Sequence, residues 1–250
     1  MRDLAVEQLK SWDIDLGRLS KLFDSVNWKY GIGEIFLIVA GVSIALAASS
    51  WYENRQLRND EFAALAQLKA TLTDDLESLA VQYDTLANVN QGILSFVEQI
   101  ENGEIEQAQI TNGVWFTGRF LTLNLRYGPY ETLKARGLGL VSDESLRLKI
   151  TSLYEDEIPN LVEDSVIDRH LSRDLILPSI LEWFRLDASD DWILQDTAGT
   201  EWRSELVTLA RYRASTLTGF YLPSFERTMN LMKEVSAAIE AELQQNRKFY

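Results

Sequence analysis

Apolar residues are concentrated in one uninterrupted run near the start of the chain. The run Ile35–Ala48 reads IFLIVAGVSIALAA, and residues 31–50 around it carry one charge, Glu34. A spanning helix needs roughly 20 residues, and aromatic and basic residues extend the run on both sides, as at membrane interfaces. The predicted interface residues are Trp28, Lys29, Tyr30, Trp51, Tyr52 and Arg55. The pattern predicts one transmembrane helix over residues 28–52. One alternative is a buried core helix, which the paired aromatics disfavour. The other is a cleavable signal peptide, but the apolar run begins too far from Met1 for that.

Two further patterns lie before and inside this segment. Over residues 1–27, apolar positions recur at intervals of three and four, which predicts an amphipathic helix on the membrane surface. Its apolar face includes Leu9, Trp12, Leu16, Leu19 and Phe23. A helix that packs on a partner or on the chain's own domain is the alternative. Inside the span, small residues and one carboxylate mark a face for helix–helix contact. These residues are Gly33, Glu34, Gly41, Ala45 and Ser49.

Residues 53–250 read as helices separated by glycine and proline. Apolar positions from Leu65 to Ile100 keep three–four spacing without a proline, which predicts a long helix that ends at Asn102-Gly103 or breaks near Gly92. Further predicted helices begin at Gly128-Pro129 and at Ser142 or Asp143, and Pro159, Pro178 and Pro223 should kink the later ones. The polar residues 187–200 are the most clearly predicted loop of the chain. The fold class predicted is all-α, with the amphipathic helix, one transmembrane helix and an antiparallel bundle of long, kinked helices.

Charge and composition narrow the function classes. The 250-residue chain has 24 Lys and Arg against 38 Asp and Glu, one His and no Cys. A net charge of −14 disfavours a nucleic-acid partner, which is bound through phosphate neutralisation. Residues 1–50 contain five basic and six acidic residues, which leaves 19 and 32 for residues 51–250. An anionic bilayer would repel such an acidic domain.

The basic residues beside the span set the predicted orientation. Arg18, Lys21 and Lys29 precede it, Arg55, Arg58 and Lys69 follow it, and Arg2 and Lys10 tip the balance towards a cytoplasmic N-terminus. The predicted location is the bacterial cytoplasmic (inner) membrane, single-pass, with the acidic C-terminal domain in the periplasm.

Candidate chemistry is sparse, and we predict no catalytic residue, no cofactor and no metal site. A Ser–His–Asp group would have to use His170 with Asp168 or Asp174, and no nucleophile motif supports it. Acidic runs at 74–75, 155–157 and 187–191 lack the calcium-loop pattern, so we interpret them as solvated faces. One aromatic group is either a partner-facing surface or part of the core. It consists of Trp183, Phe184, Trp192 and Trp202.

Residues 29–58, KYGIGEIFLIVAGVSIALAASSWYENRQLR, resemble a motif of single-span bacterial membrane proteins. The motif reads K-Y-x-x-x-A-I-G-E-I-x-L-V-V-x-G-I-L-I-A-L-x-x-x-x-W-x-E. Its matches are Gly33, Glu34, Ile35, Leu37, Val39, Gly41, Ile44, Ala45, Leu46, Trp51 and Glu53. A second block is similar to the other recurring stretch of these proteins. It begins at Tyr130-Glu131-Thr132-Leu133-Lys134 and continues through Gly137, Leu146-Arg147, Ile150 and Tyr154. The chain departs from the pattern at 47–50 and in its N-terminal extension. The resemblance is to an uncharacterised family; it implies a membrane-anchored helical protein and no assigned activity.

These observations favour a non-enzymatic accessory or scaffold subunit of a larger membrane protein complex. Its expected partners are the lipid bilayer, other membrane subunits or a second copy of the chain, and respiratory and photosynthetic assemblies are candidate hosts. A membrane-anchored, sensor-like helical domain that binds a small ligand or peptide is the alternative.

Overall fold

The computed structural model describes residues 28–103, 105–195 and 199–247. These residues are mostly helical, as predicted for the all-α class. The predicted amphipathic helix, with Leu9, Trp12, Leu16, Leu19 and Phe23, lies outside the described residues. The chain divides into two compact units, Met1–Arg58 and Asn59–Tyr250.

Helix α1 (Trp28–Asn102) contains residues of both units. In the first unit its side chains are solvent-exposed almost without interruption from residue 31 to residue 58. In the second unit the residues predicted at three–four spacing are buried, among them Leu65, Leu72, Leu86 and Ile93. The helix passes through Gly92 and ends before Gly103, whose φ of +88° is the left-handed conformation that glycine adopts without strain. Of the two predicted outcomes, a stop at Asn102-Gly103 is confirmed.

The remaining elements belong to the second unit. Their bounds are α2 (Gln107–Gly118), α3 (Gly128–Arg136), α4 (Glu144–Ser152), α5 (Ile158–His170), α6 (Leu177–Trp183), β1 (Phe184–Leu186), β2 (Trp192–Leu194), α7 (Glu201–Thr216) and α8 (Leu222–Arg247). Sequence signals for two of the helix starts are confirmed. Pro129 lies in the first turn of α3, and the Asp143 carboxylate caps α4 by accepting a hydrogen bond from the backbone N–H of Leu146 at 2.7 Å.

Three π-helical turns join consecutive helices, and a proline follows each of them. They are Leu153–Glu157, Leu171–Ile176 and Leu217–Tyr221, and the next helix has Pro159, Pro178 and Pro223, respectively, at its second residue. The residue before each proline donates its N–H five residues back, as in Ile158 to Leu153. The proline ring clashes with the carbonyl of the preceding turn in a regular helix, and a π-turn widens that turn. The predicted kinks at these prolines therefore take the form of wide turns in continuous helical segments.

Polar contacts show that α1 and the segment formed by α7 and α8 are antiparallel. Along α1 the contacts are Lys69 with Glu240, Tyr83 with Glu226, Asn90 with Thr218 and Glu101 with Arg211. Residue numbers rise on one side as they fall on the other. The helices α4 to α6 pack on the same segment, α4 and α5 against α8 and α6 against α7. One large apolar core lies between these helices, and a smaller one lies around α2, α6 and the strands.

A short antiparallel β-ribbon occupies part of the predicted loop. Strand β1 pairs with β2 in the register Phe184 with Leu194. The Asp187 carboxylate closes the turn by accepting hydrogen bonds from the N–H groups of Ser189 and Asp191. Three residues per strand are too few for a period-two pattern, so the ribbon could not be predicted from the sequence.

Candidate functional site

The first candidate site is the exposed apolar surface of the first unit. From Ile35 to Leu46 the large apolar side chains are 55–75% exposed. One helix among the described residues is long and apolar enough to span a membrane, and the apolar window in it is wholly unburied. At the C-terminal side of this run, the Arg55 guanidinium lies 5.4 Å from the ring centre of Trp51. Trp51 and Tyr52 are themselves exposed. The side chains of Trp28, Lys29 and Tyr30 are outside the described set.

The residues predicted for helix–helix contact share open space. A methyl group added at Gly33 or Gly41 would meet no atom within 4 Å. Glu34 and Ala45 are exposed, and Ser49 donates to Glu53 at 3.3 Å within the helix. The small-residue row is therefore uncovered within the described chain, and its role in helix contact remains a prediction.

The aromatic group predicted as a partner surface is mostly core. Phe184 and Trp202 are almost fully buried and pack edge to face, with ring centres 5.4 Å apart. Trp192 is buried as well, and half-buried Trp183 donates its indole N–H to Glu205. The partner-surface interpretation is therefore wrong for Phe184, Trp192 and Trp202, and the alternative, core packing, holds. They pack in the smaller apolar core with aliphatic residues such as Ile176 and Leu206.

The catalytic arrangement considered for His170 is not assembled. His170 is exposed and its Nδ1 lies 2.8 Å from the carboxylate of Asp174, one turn along the helix. Asp168 is buried and pairs with Arg213 instead. Within the described residues, no serine hydroxyl bonds to the imidazole and no group of three metal-ligating side chains is formed.

Arg213 is the centre of a buried polar network that the sequence did not reveal. Its guanidinium forms two bonds to the carboxylate of Asp168, at 3.0 and 3.1 Å. Its other N–H groups donate to the carbonyls of Phe116, Thr117 and Arg119. These carbonyls belong to the end of α2, where the last turn of a helix leaves carbonyls without partners. A buried cation thus caps α2 and favours the negative end of its dipole.

A second buried carboxylate, Asp75, fixes the connection between α2 and α3. It accepts from both the backbone N–H and the side chain of Arg126, at 3.1 and 2.9 Å. Its neighbour Asp74 also pairs with Arg126 but stays exposed. The hydrogen bond to Asp75 is the main reason that the pKa of Arg126 is raised. The interpretation of this acidic run as a solvated face is therefore wrong for Asp75.

Three tyrosines meet beside Asp75. The rings of Tyr130 and Tyr154 stack with centres 4.4 Å apart, and Tyr127 packs edge-on against Tyr154. Tyr130 donates to Glu155 at 2.5 Å, whereas the buried hydroxyl of Tyr154 has no partner among the described residues. Burial raises the pKa of Tyr154, and Asp75 raises it further. The pKa of Glu155 is lowered, first by its bond to Lys134 and then by Tyr130. The cluster stays protonated on its phenols at neutral pH and serves packing.

The second candidate site is an apolar cleft beside the end of α2. It has a volume of about 300 Å³. Its walls include Trp115, Phe120, Leu177, Ile180 and Trp192, with Arg119 among them. Trp115 and Trp192 meet edge to face at 6.2 Å between ring centres. Sequence reasoning missed Trp115, Arg119 and Phe120, because nothing in their spacing sets them apart from core residues.

Comparison with protein-family models, characterised proteins and solved structures gives no match. The resemblance to single-span bacterial proteins rests on the matching residues alone. In the part of the chain that the structure describes, the class is mostly helical, with one helix long and apolar enough to cross a membrane.

Proposed function

We propose that this chain is a single-span membrane protein that acts as a non-enzymatic accessory or scaffold subunit of a larger membrane protein complex. Residues 28–52 form the anchor, and residues 53–250 form an acidic antiparallel helical bundle outside the membrane. The N-terminus lies in the cytoplasm and the bundle in the periplasm. The observation that carries the proposal is the run of exposed apolar side chains in the first unit.

The free energy of leaving that run in water supports an anchor. Eight large side chains between Ile35 and Leu46 are exposed. Full burial of one such side chain is favourable by about 1.5–3 kcal/mol, so leaving eight in water costs on the order of 10–20 kcal/mol. This is comparable with the usual stability of a whole domain, about 5–15 kcal/mol. A lipid bilayer removes the penalty along the whole circumference of the helix, and a groove in another soluble protein covers only part of it.

The subunit role is supported by surfaces that have no cover in the described chain. The row of Gly41, Ala45 and Ser49 lets another helix approach closely, and the second unit exposes several large apolar side chains. Examples are Val81, Leu148, Ile167 and Phe220, each at least half exposed.

The test is purification of the full chain from its own membrane in mild detergent, followed by native mass measurement. We expect the chain to resist extraction by alkaline carbonate and to purify with at least one other membrane protein. A release by carbonate contradicts the anchor, and a monomer without a companion contradicts the subunit role.

A pair of variants locates the contact. Gly41→Leu with Ala45→Leu adds bulk to the small-residue face, whereas Ser43→Leu with Ala47→Leu adds similar bulk, at the same spacing, to the opposite face of the helix. We expect the first pair to release the companion protein and the second to retain it, while both stay in the membrane. Equal retention in both pairs would place the contact outside this face.

A further inference from the structure

Polar contacts fix two of the segments that line the apolar cleft beside α2. Arg213 binds the carbonyls of Phe116, Thr117 and Arg119 at the end of α2. The backbone carbonyl of Trp192 accepts hydrogen bonds from Gln107 at 2.6 Å and from Thr111 at 3.3 Å. The end of α2 and Trp192 of β2 are thus held in place. A site that exists before its ligand arrives avoids the ordering penalty of binding.

The lining of the cleft is apolar, with one cation at its rim. Trp115 and Phe120 form an exposed lip, and half-buried Leu177 and buried Ile180 form the opposite wall. The Arg119 guanidinium is exposed, and no carboxylate of the described residues pairs with it. The indole N–H of Trp192 is buried without an acceptor in the same set of residues. Because that N–H is covered, the Arg119 guanidinium is the donor that a ligand in the cleft can reach.

We propose that this cleft binds the alkyl chain of a single-chain carboxylic acid, a fatty acid or an equivalent amphiphile, with its carboxylate at Arg119. A volume of about 300 Å³ is at the lower end of small-ligand sites, about 300–1,000 Å³, and suits one narrow chain. Charge selects the head group. An unpaired cation stands at the rim of a region that is otherwise strongly acidic, so an anion binds here and is repelled elsewhere. The proposal is independent of the accessory role.

The test uses the full chain in nanodiscs of zwitterionic phosphatidylcholine and a photoreactive dodecanoate. After illumination, mass spectrometry of proteolytic fragments locates the label. We expect labelling at residues 114–120 and 177–180, saturable and displaced by unlabelled dodecanoate. Because the readout is positional, partition of the probe into lipid does not confuse it.

Variants separate the head group from the chain. Arg119→Gln should raise the apparent dissociation constant of the probe at the cleft about fivefold, the effect of one exposed ion pair. Arg136→Gln removes an exposed arginine elsewhere and should leave it unchanged. Leu177→Trp should fill the cleft and abolish labelling there. Circular dichroism checks that each variant keeps its fold.

Three results would overturn the proposal. The first is labelling confined to the apolar run of the first unit. The second is labelling of the cleft that dodecanol displaces as well as dodecanoate does and that Arg119→Gln leaves unchanged, which would show an apolar site without preference for a carboxylate. Displacement only by an apolar peptide would likewise replace the fatty acid with a peptide partner.

Discussion

Arg213 has every N–H of its guanidinium bonded, and it is fully buried. Arg213→Met should lower the free energy of unfolding by about 3–5 kcal/mol, because Asp168 stays buried without its partner and the end of α2 loses its cap. Urea unfolding of the full chain in non-ionic detergent, followed by tryptophan fluorescence, measures this loss.

Arg211 provides the matched control on the same helix. Its pair with Glu101 is exposed, so Arg211→Met should change the stability by about 0–1 kcal/mol. Replacing both members of the buried pair, with Asp168→Leu added to Arg213→Met, should recover part of the loss. Equal effects of the two single arginine variants would show that the buried network contributes no more than a surface pair.

Substitution of Tyr154, unlike that of Arg213, should not lower the free energy of unfolding. Its buried hydroxyl has no partner in the described residues, so Tyr154→Phe should leave stability at pH 7 unchanged or raise it by up to about 1 kcal/mol. Its folded-state pKa is raised, so the protein holds this proton more tightly when folded. Stability from this group is complete below the unfolded pKa of about 10 and declines above it. The advantage of the variant should therefore grow from pH 10 upward.

Tyr130 is the control for the tyrosine cluster. Its hydroxyl donates to Glu155, so Tyr130→Phe should lower stability at pH 7 by about 1 kcal/mol. Thermal unfolding of both variants at pH 7 and above pH 10 provides the comparison. A loss in Tyr154→Phe as large as that in Tyr130→Phe would mean that the Tyr154 hydroxyl makes a favourable contact after all.

At the scale of elements, α1 and α2 interlock through two glycines and two phenylalanines. A methyl group at Gly92 would lie 2.4 Å from the ring of Phe116, and one at Gly113 would lie 2.0 Å from the ring of Phe96. Each phenylalanine thus occupies the space left by a glycine of the other helix. Gly92, a candidate break from the sequence alone, is where the Phe116 ring of α2 packs against α1.

Gly113→Ala tests this interlock. Alanine is the better helix former by about 1 kcal/mol, yet we expect a net loss of about 1–3 kcal/mol, because the new methyl group overlaps the Phe96 ring. Phe96→Leu in the same chain should relieve part of the overlap. Gly219→Ala, at a site with open space around it, should be neutral or stabilising. Urea midpoints of the variants decide the matter, and a stabilised Gly113→Ala would contradict the packing.

At the scale of the whole molecule, the division of charge governs the proposed topology. Basic residues are almost balanced across the span, and Arg2 and Lys10 tip the balance. Alkaline phosphatase fused after Tyr250 should be active, and green fluorescent protein fused at the same place should not fluoresce. Replacing Arg2 and Lys10 with glutamine should increase the inverted fraction, whereas replacing the distant Arg173 and Arg185 should not. If the green fluorescent protein fusion of the unaltered chain fluoresces, the C-terminal domain lies in the cytoplasm and the predicted orientation is wrong.

Local rules explain what the sequence predicted. The apolar run, the three–four spacing of α1, and the glycine and proline boundaries act through backbone conformation and helix periodicity, which depend on near neighbours. The helical class followed from them. The β-ribbon did not, because it is too short to leave a pattern and depends on the turn that Asp187 closes.

The sequence by itself determined the helical class, the end of α1, the starts of α3 and α4 and the apolar run, and only the tertiary structure decided which charges are buried. Asp74 and Asp75 are adjacent, yet their side chains are 61% and 3% exposed. Arg211 and Arg213 lie two residues apart, at 58% and 0%. Identical side chains on one helix differ because a second element covers one face of it, and contacts between distant segments decide which face that is. The cleft at Arg119 has the same origin, since its two walls come from segments about 60 residues apart.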